Sequence, residues 1–170
     1  MRLDGYDYSQ DGFYFVTICT LVHSMWFGNV HNNNMILSTI GKIVDQCWVQ
    51  IPQHFTDVKL DEYVIMPNHV HGIIAINQIT RRMGTACRAP ISEKFGKPIS
   101  GSIPTIIRSF KSAVTKKINE YQNTPTKFIW QRNYYDHIIR NDNDLIRTRE
   151  YVRNNPLKWR YDCNHLDNRN

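Results

Sequence analysis

The sequence predicts an α+β domain, an antiparallel sheet with helices packed on one face. Amphipathic helical spacings alternate with β-branched, strand-like runs in the order β, hairpin, α, β, β, α, β, α. The Met66-Pro67-Asn68 junction between two of those strands is short, which favours an antiparallel pair. The chain has 170 residues and is 41% hydrophobic, enough for one domain with a proper core.

Residues 1–12 are polar and turn-like. Residues 13–22, rich in aromatic and β-branched side chains, read as a central strand. Residues 27–37 read as a hairpin turning at His31-Asn32-Asn33-Asn34, because asparagine tolerates positive φ. Ser38 or Thr39 caps a helix over 40–51, whose buried stripe is Ile40, Ile43, Val44, Cys47, Trp48 and Ile51. Strands follow at 57–66 and 69–76. Residues 78–100 form an irregular segment carrying Arg81, Arg82, Arg88, Lys94 and Lys97, either a mobile basic loop or a plain solvated connector. Ser102 caps a second helix over 102–120, with Ile103, Ile107, Phe110, Val114 and Ile118 as its apolar stripe. A short extended piece at 127–130 and a strand at 134–139 precede a third helix over 143–154, capped by Asn141 or Asp142 and ended by Pro156. Residues 1–160 thus read as one domain, and 161–170 as a polar C-terminal tail that frays.

The composition narrows the function classes. No apolar run approaches the ~20 residues of a membrane span, and nothing at the N-terminus resembles a signal peptide. The four cysteines are scattered, with no Cys-x-x-Cys, so the expectation is a reduced, cytoplasmic protein with no membrane partner. A net charge of +6 makes a polyanion a reasonable partner. On the second helix, Arg108, Lys111 and Thr115 share a face with Lys116 and Lys117 beyond it, where a phosphate backbone could lie; a solvated charged face is the alternative.

Chemistry concentrates at two places. His69-Val70-His71 lies in a strand, where residues two apart point to the same face, so two imidazoles stand side by side as half of a metal site or as two ordinary strand histidines. Arg147, Tyr151 and Asn155, at steps of four, form one stripe of the third helix, away from Leu145 and Val152. An amide oxygen from Asn155 would complete a metal shell begun by the histidines, with the Tyr151 phenol beside it. Packing for Tyr151 and a helix stop for Asn155 are the bland alternatives.

Met66-Pro67-Asn68-His69-Val70-His71-Gly72-Ile73 resembles the His-hydrophobic-His motif of the REP-associated, IS200-like tyrosine transposases, the single-tyrosine HUH endonucleases. The stretch Trp130 to Asn141 resembles a second block of that family, and Tyr151-Val152-Arg153-Asn154-Asn155-Pro156 resembles its catalytic Tyr-x-x-x-Asn-Pro helix. The resemblance spans essentially residues 2–159. It implies a ferredoxin-like or RRM-like fold and a metal-dependent single-stranded DNA endonuclease and strand transferase that cleaves at repeat hairpins through a 5′-phosphotyrosine. Carried over, His69 and His71 become ligands of Mg²⁺ or Mn²⁺, Asn155 a third ligand, and Tyr151 the nucleophile. Other branches of the family have glutamine four residues after the tyrosine, one methylene longer than Asn155. Gln131 and His137 become candidates for supporting the site, with structural hydrogen bonding as the alternative. Arg108, Lys111, Lys116 and Arg147 become candidates for holding DNA. The implied partner is single-stranded DNA with a hairpin, and both monomer and homodimer stay open. The competing reading is a non-catalytic single-stranded nucleic-acid-binding module derived from a transposase.

Overall fold

The apolar, β-branched run after Gly12 becomes β1 (Gly12–Cys19), an inner strand paired on both sides. A computed structural model describes residues 3, 5–77, 99–125, 127–165 and 168, so the basic residues expected in the 78–100 segment lie outside the described residues. After β1 the chain breaks into a 3₁₀ turn at Leu21–His23, in which Val22 and His23 take positive φ. The strand expected to reach residue 22 therefore stops at Cys19.

β2 (Gly28–His31) and β3 (Asn34–Leu37) form the expected hairpin. Its two turn residues, Asn32 and Asn33, both have positive φ, the conformation a tight two-residue turn demands. Ser38 caps α1 (Thr39–Val49) by accepting the Gly41 N–H. Pro52 does not terminate the chain's helical run; it sits in the first turn of the short α2 (Ile51–His54), where a missing N–H costs nothing. β4 (Val58–Ile65) and β5 (His69–Ile76) pair antiparallel across the short junction. α3 (Ile103–Gln122) ends on Asn123 in the left-handed conformation. β6 (Tyr135–Ile139) and α4 (Asp142–Arg153), capped by Asn141, complete the order.

The four large strands lie in the order β4-β5-β1-β6, every neighbouring pair antiparallel. Counted among themselves they run second, third, first, fourth, the ferredoxin-like arrangement of a βαββαβ chain. The fold is thus the expected α+β sheet with helices on it. α1 and α3 cover one face: Val44 and Trp48, with Ile107, Phe110 and Val114, pack on Val16, Ile18, Val70 and Ile74. Trp48 lies so close to β5 that a Cβ on Gly72 would sit 2.2 Å from its ring.

α4 departs from the one-face arrangement. Its Leu145 and Val152 pack on Phe15, Ile73 and Ile139, which alternate with the residues of the main core and so point to the opposite face. Burying those two side chains stabilises the helix by about 1.5–3 kcal/mol each. Polar anchors add to this. Arg149 donates twice to Asp61 of β4, at 2.8 and 2.6 Å, and Arg153 pairs with Glu62. A partly exposed pair such as Arg149–Asp61 is worth about 1 kcal/mol or less, so apolar burial is the larger contribution to holding α4 on the sheet. No helix among the described residues is long and apolar enough to cross a membrane.

The tail expected to fray is folded as far as residue 165. Trp159–Tyr161 form a 3₁₀ turn, and Asp162 and Asn164 are only 7% and 8% exposed. Long-range bonds hold this segment: the Asn68 amide donates to the Asn164 carbonyl at 2.8 Å, and Cys19 Sγ contacts Asn164 Oδ1.

Candidate metal centre and tyrosine

Strand alternation in β5 sends His69 and His71 to the α4 face of the sheet, where both are almost wholly buried. Their ring centroids are 4.3 Å apart. Phe15 stacks on His71, and Trp159 tilts over His69. Each imidazole is held by its Nδ1: His69 Nδ1 to Asn68 Oδ1, and His71 Nδ1 to Thr17 Oγ1, both at 2.8 Å. Thr17 reaches His71 because the two are register partners on β1 and β5. Both Nε2 atoms are left facing one spot, the arrangement of histidines that bind metal through Nε2 and are oriented through Nδ1.

The C-terminal segment brings Asp162 to the same spot. Donor atoms of His69, His71 and Asp162 all lie within 4.8 Å of one another, and this buried trio could hold a metal ion. Asn155, just past the end of α4 and 2% exposed, donates its amide to Asp162 Oδ2 at 3.0 Å. Two buried polar atoms in this group, His69 Nε2 and Asn155 Oδ1, have no hydrogen-bond partner. An unsatisfied buried acceptor is costly unless something satisfies it, and a cation would satisfy both, so the donor set fits the metal that the family resemblance implies.

The electrostatics agree. Burial, reinforced for His69 by the neighbouring His71, pushes both imidazoles below their ordinary pKa, leaving them neutral with lone pairs available. Burial alone would raise the Asp162 carboxyl, but His71, the Asn164 backbone amide, His69 and Asn155 outweigh it and hold the group well below the usual carboxylate range. Two neutral imidazoles and one carboxylate are a donor set for a divalent ion.

Tyr151 stands at the open edge of this group. It is 43% exposed, its ring meets Phe15 and His71 edge-on, and its hydroxyl lies 3.3 Å from His71 Nε2. Burial, then the charge of Asp162, pushes the phenol up to about 12.

The structure therefore brings together His69, His71, Tyr151 and Asn155 from the sequence reading, and adds Asp162, Thr17 and Asn68. Thr17 was detectable only through strand register, Asn68 through its place beside His69, and Asp162 through no local signal. Arg147 is not gathered in: its guanidinium is largely exposed and lies 3.6 Å from Asp144. His137 also bonds Asp144, at 2.8 Å, and so braces the first turn of the tyrosine helix rather than an imidazole of the site. Gln131 lies further out: its side chain meets His23 Nε2, and the His23 carbonyl accepts from Asn68.

Arg108, Lys111 and Lys116 line an open groove of about 860 Å³ between α3 and the segment 128–132, together with Phe128, Gln131 and Arg132. Arg108, Lys116 and Arg132 are exposed, and Phe128 is 78% exposed. Lys111 is different. Its ammonium donates to the carbonyls of Gln131 and Asn133 at 2.8 and 3.0 Å, and burial lowers its pKa to about 8.

No family model matches the sequence. A protein of Haemophilus influenzae described as uncharacterized is 40% identical over 168 residues, covering 98% of this chain and 92% of that protein. Among solved structures, a REP-associated tyrosine transposase bound to a REP hairpin superposes with a TM-score of 0.61 at 18% identity, over 95% of this chain and 76% of that one. A structure described as a putative transposase of Deinococcus radiodurans is more distant, at 12% identity and a TM-score of 0.49, over 90% of this chain and 97% of that one. The chain belongs to one family with the Haemophilus influenzae protein and has the fold of a REP-associated tyrosine transposase.

Proposed function

We propose that the protein is a metal-dependent single-stranded DNA endonuclease and strand transferase, with Tyr151 as nucleophile and DNA hairpins as substrate. The observation that carries this reading is the Tyr151 hydroxyl, half-exposed and 3.3 Å from His71 Nε2, at the edge of the buried His69-His71-Asp162 group. A phenol over a buried metal-ligand cluster has an evident use in covalent phosphoryl transfer. The family resemblance of the motifs and the hairpin-bound structural neighbour point the same way.

His69 and His71 would hold Mg²⁺ or Mn²⁺ through Nε2, with Asp162 and the Asn155 amide oxygen as the oxygen donors. When bound, the ion would supply Lewis-acid stabilisation of charge building on the scissile phosphate oxygens. Every other part of the reaction falls to the chain. Tyr151 Oη attacks phosphorus and loses its proton as the new P–O bond forms; the 3′ oxygen leaves and gains one. The product is a 5′-phosphotyrosine and a free 3′-hydroxyl, and attack by a 3′-hydroxyl reverses the step without an external energy source. A phenol raised to about 12 is protonated at neutral pH, so its proton has to leave as the bond to phosphorus forms.

The groove offers the strand a place to lie. Arg108, Lys116 and Arg132 would meet phosphates, and exposed Phe128 would stack on a base. Lys111 shapes the groove wall through its carbonyl bonds.

The test is the chemistry of the ends. Hairpin DNA from the flanks of the protein's own gene is incubated with Mn²⁺, and the products are followed from both sides of the nick. Tyrosine chemistry leaves a polymerase-extendable 3′ end while the 5′ end stays on the protein. Two free ends would mean that water is the nucleophile, and binding without a nick would mean a non-catalytic module.

A further inference from the structure

We infer that Asn68 is the positioning residue of the metal centre: a single buried amide fixes the tautomer of His69 and latches the C-terminal segment that carries Asp162. The inference rests on the metal-site reading above, and adds to it how the site is built.

Asn68 is 0% exposed. Its amide nitrogen donates to two backbone carbonyls, His23 at 3.2 Å and Asn164 at 2.8 Å. With both N–H groups spent on carbonyls, the side-chain oxygen can only accept, and its partner 2.8 Å away is His69 Nδ1. The neutral imidazole of His69 must then carry its proton on Nδ1. The lone pair falls on Nε2, the buried atom without a hydrogen-bond partner at the centre of the site. The backbone of Asn68 is pinned as well, since its carbonyl accepts from both the N–H and the hydroxyl of Thr20, at 2.9 and 3.0 Å.

The other end of the amide reaches the C-terminal segment. Asn164, whose carbonyl Asn68 grips, donates its own N–H to Asp162 Oδ1 at 2.6 Å. Asp162 Oδ2 is left for Asn155 and for His71, whose Nε2 lies 3.9 Å away. The depth of Asp162 in the site is therefore set through Asn164 by Asn68, the residue next to His69 in sequence.

Two variants separate the two jobs. Asn68→Asp keeps an acceptor for His69 but loses the two N–H donors; Asn68→Ala loses everything. The full chain is studied metal-free by long-range ¹⁵N–¹H imidazole correlation and by backbone hydrogen exchange, then titrated with Mn²⁺ by calorimetry. In the wild type His69 is expected as the Nδ1–H tautomer. Asn68→Ala should mix the tautomers and raise the Mn²⁺ Kd about 10- to 100-fold. Asn68→Asp should keep the Nδ1–H signal while exchange at residues 162–165 accelerates.

A wild-type His69 found as Nε2–H overturns the inference with no variant needed. So does an Asn68→Ala protein that melts lower but binds Mn²⁺ within about twofold of wild type, where ligand orientation should matter by tenfold or more. A wild type that shows the Nδ1–H tautomer but binds no Mn²⁺ sinks the metal reading of the site and, with it, the assignment of Asn68 to a metal centre.

Discussion

The Tyr151 hydroxyl and His71 Nε2 are 3.3 Å apart, joining the last turns of α4 to the inner strand β5. The phenol ring is held independently, by edge contacts with Phe15 and His71. Tyr151→Phe should therefore keep the fold, with stability changed by under about 1 kcal/mol, the net worth of one hydrogen bond. Covalent DNA capture should vanish completely. A thermal melt and a nicking assay on one preparation check both halves.

Asp162 and Asn155 are the two oxygen donors proposed beside the histidines, and they should contribute unequally. Asp162 is the charged one, and Asn155 both bonds it and keeps a free buried oxygen. Asp162→Asn is expected to weaken Mn²⁺ binding at least about tenfold. Asn155→Ala should weaken it less if Asn155 acts mainly by orienting Asp162. Calorimetric titration of both variants ranks them, and Mn²⁺ affinity unchanged in Asp162→Asn would remove the carboxylate from the site.

Gly72 separates the histidine pair from Ile73, and the atoms nearest an added Cβ all belong to Trp48. A methyl there would lie 2.2 Å from the Trp48 ring, on the core face. Gly72→Ala is thus expected to destabilise by about 1–3 kcal/mol, the ordinary cost of overpacking a filled core. Urea unfolding measures it; a neutral result would mean that Trp48 has room to retreat.

The bidentate Arg149–Asp61 pair ties α4 to β4, and Arg149 holds the Asp61 carboxyl below its ordinary pKa. A depressed folded-state pKa gives stability that is present above the unfolded carboxylate pKa, about 3.9, and is lost as pH falls through the folded value. Asp61→Asn should cost about 1 kcal/mol at pH 7, discounted for partial exposure. The gap should begin to narrow as pH falls below about 4 and close only once the pH is below the depressed folded-state pKa of Asp61. Denaturation curves at the two pH values decide this, and a gap that widens in acid would contradict the assignment.

Within the groove, cations that look alike in sequence should behave differently. Arg108→Ala and Lys116→Ala should each flatten the salt dependence of single-strand binding by about 0.7 in log–log slope with little change in melting temperature. Lys111→Ala should lower the melting temperature, because three consecutive residues, 131–133, present their carbonyls to its ammonium. Binding isotherms at several salt concentrations, beside melting curves, separate the two behaviours.

Local pattern carried the element order, the hairpin turn and the shared face of His69 and His71, because each follows from alternation, helical spacing or asparagine's tolerance of positive φ. Spacing also placed Tyr151 and Asn155 together. Arg147, on the same stripe, stays outside the group, with Asp144 one turn back on the same helix 3.6 Å from its guanidinium. Spacing could not assign α4 to the face opposite α1 and α3, since Leu145 and Val152 fit an apolar surface on either side. Asp162 was hidden for a different reason. It lies in a polar stretch without periodicity, and it is ordered by bonds to Asn68 and Cys19 through Asn164, contacts that exist only once the sheet has formed.

The most direct measurement is covalent capture at a mapped residue. The protein is incubated with end-labelled single-stranded hairpin DNA from the flanks of its own gene and Mn²⁺, run on a denaturing gel beside Tyr151→Phe and His69→Ala, and the shifted band is digested for peptide mass analysis. The expected result is a metal-dependent adduct on Tyr151, absent from both variants. Cleavage that survives in Tyr151→Phe, or an adduct on another residue, would contradict Tyr151 as the nucleophile.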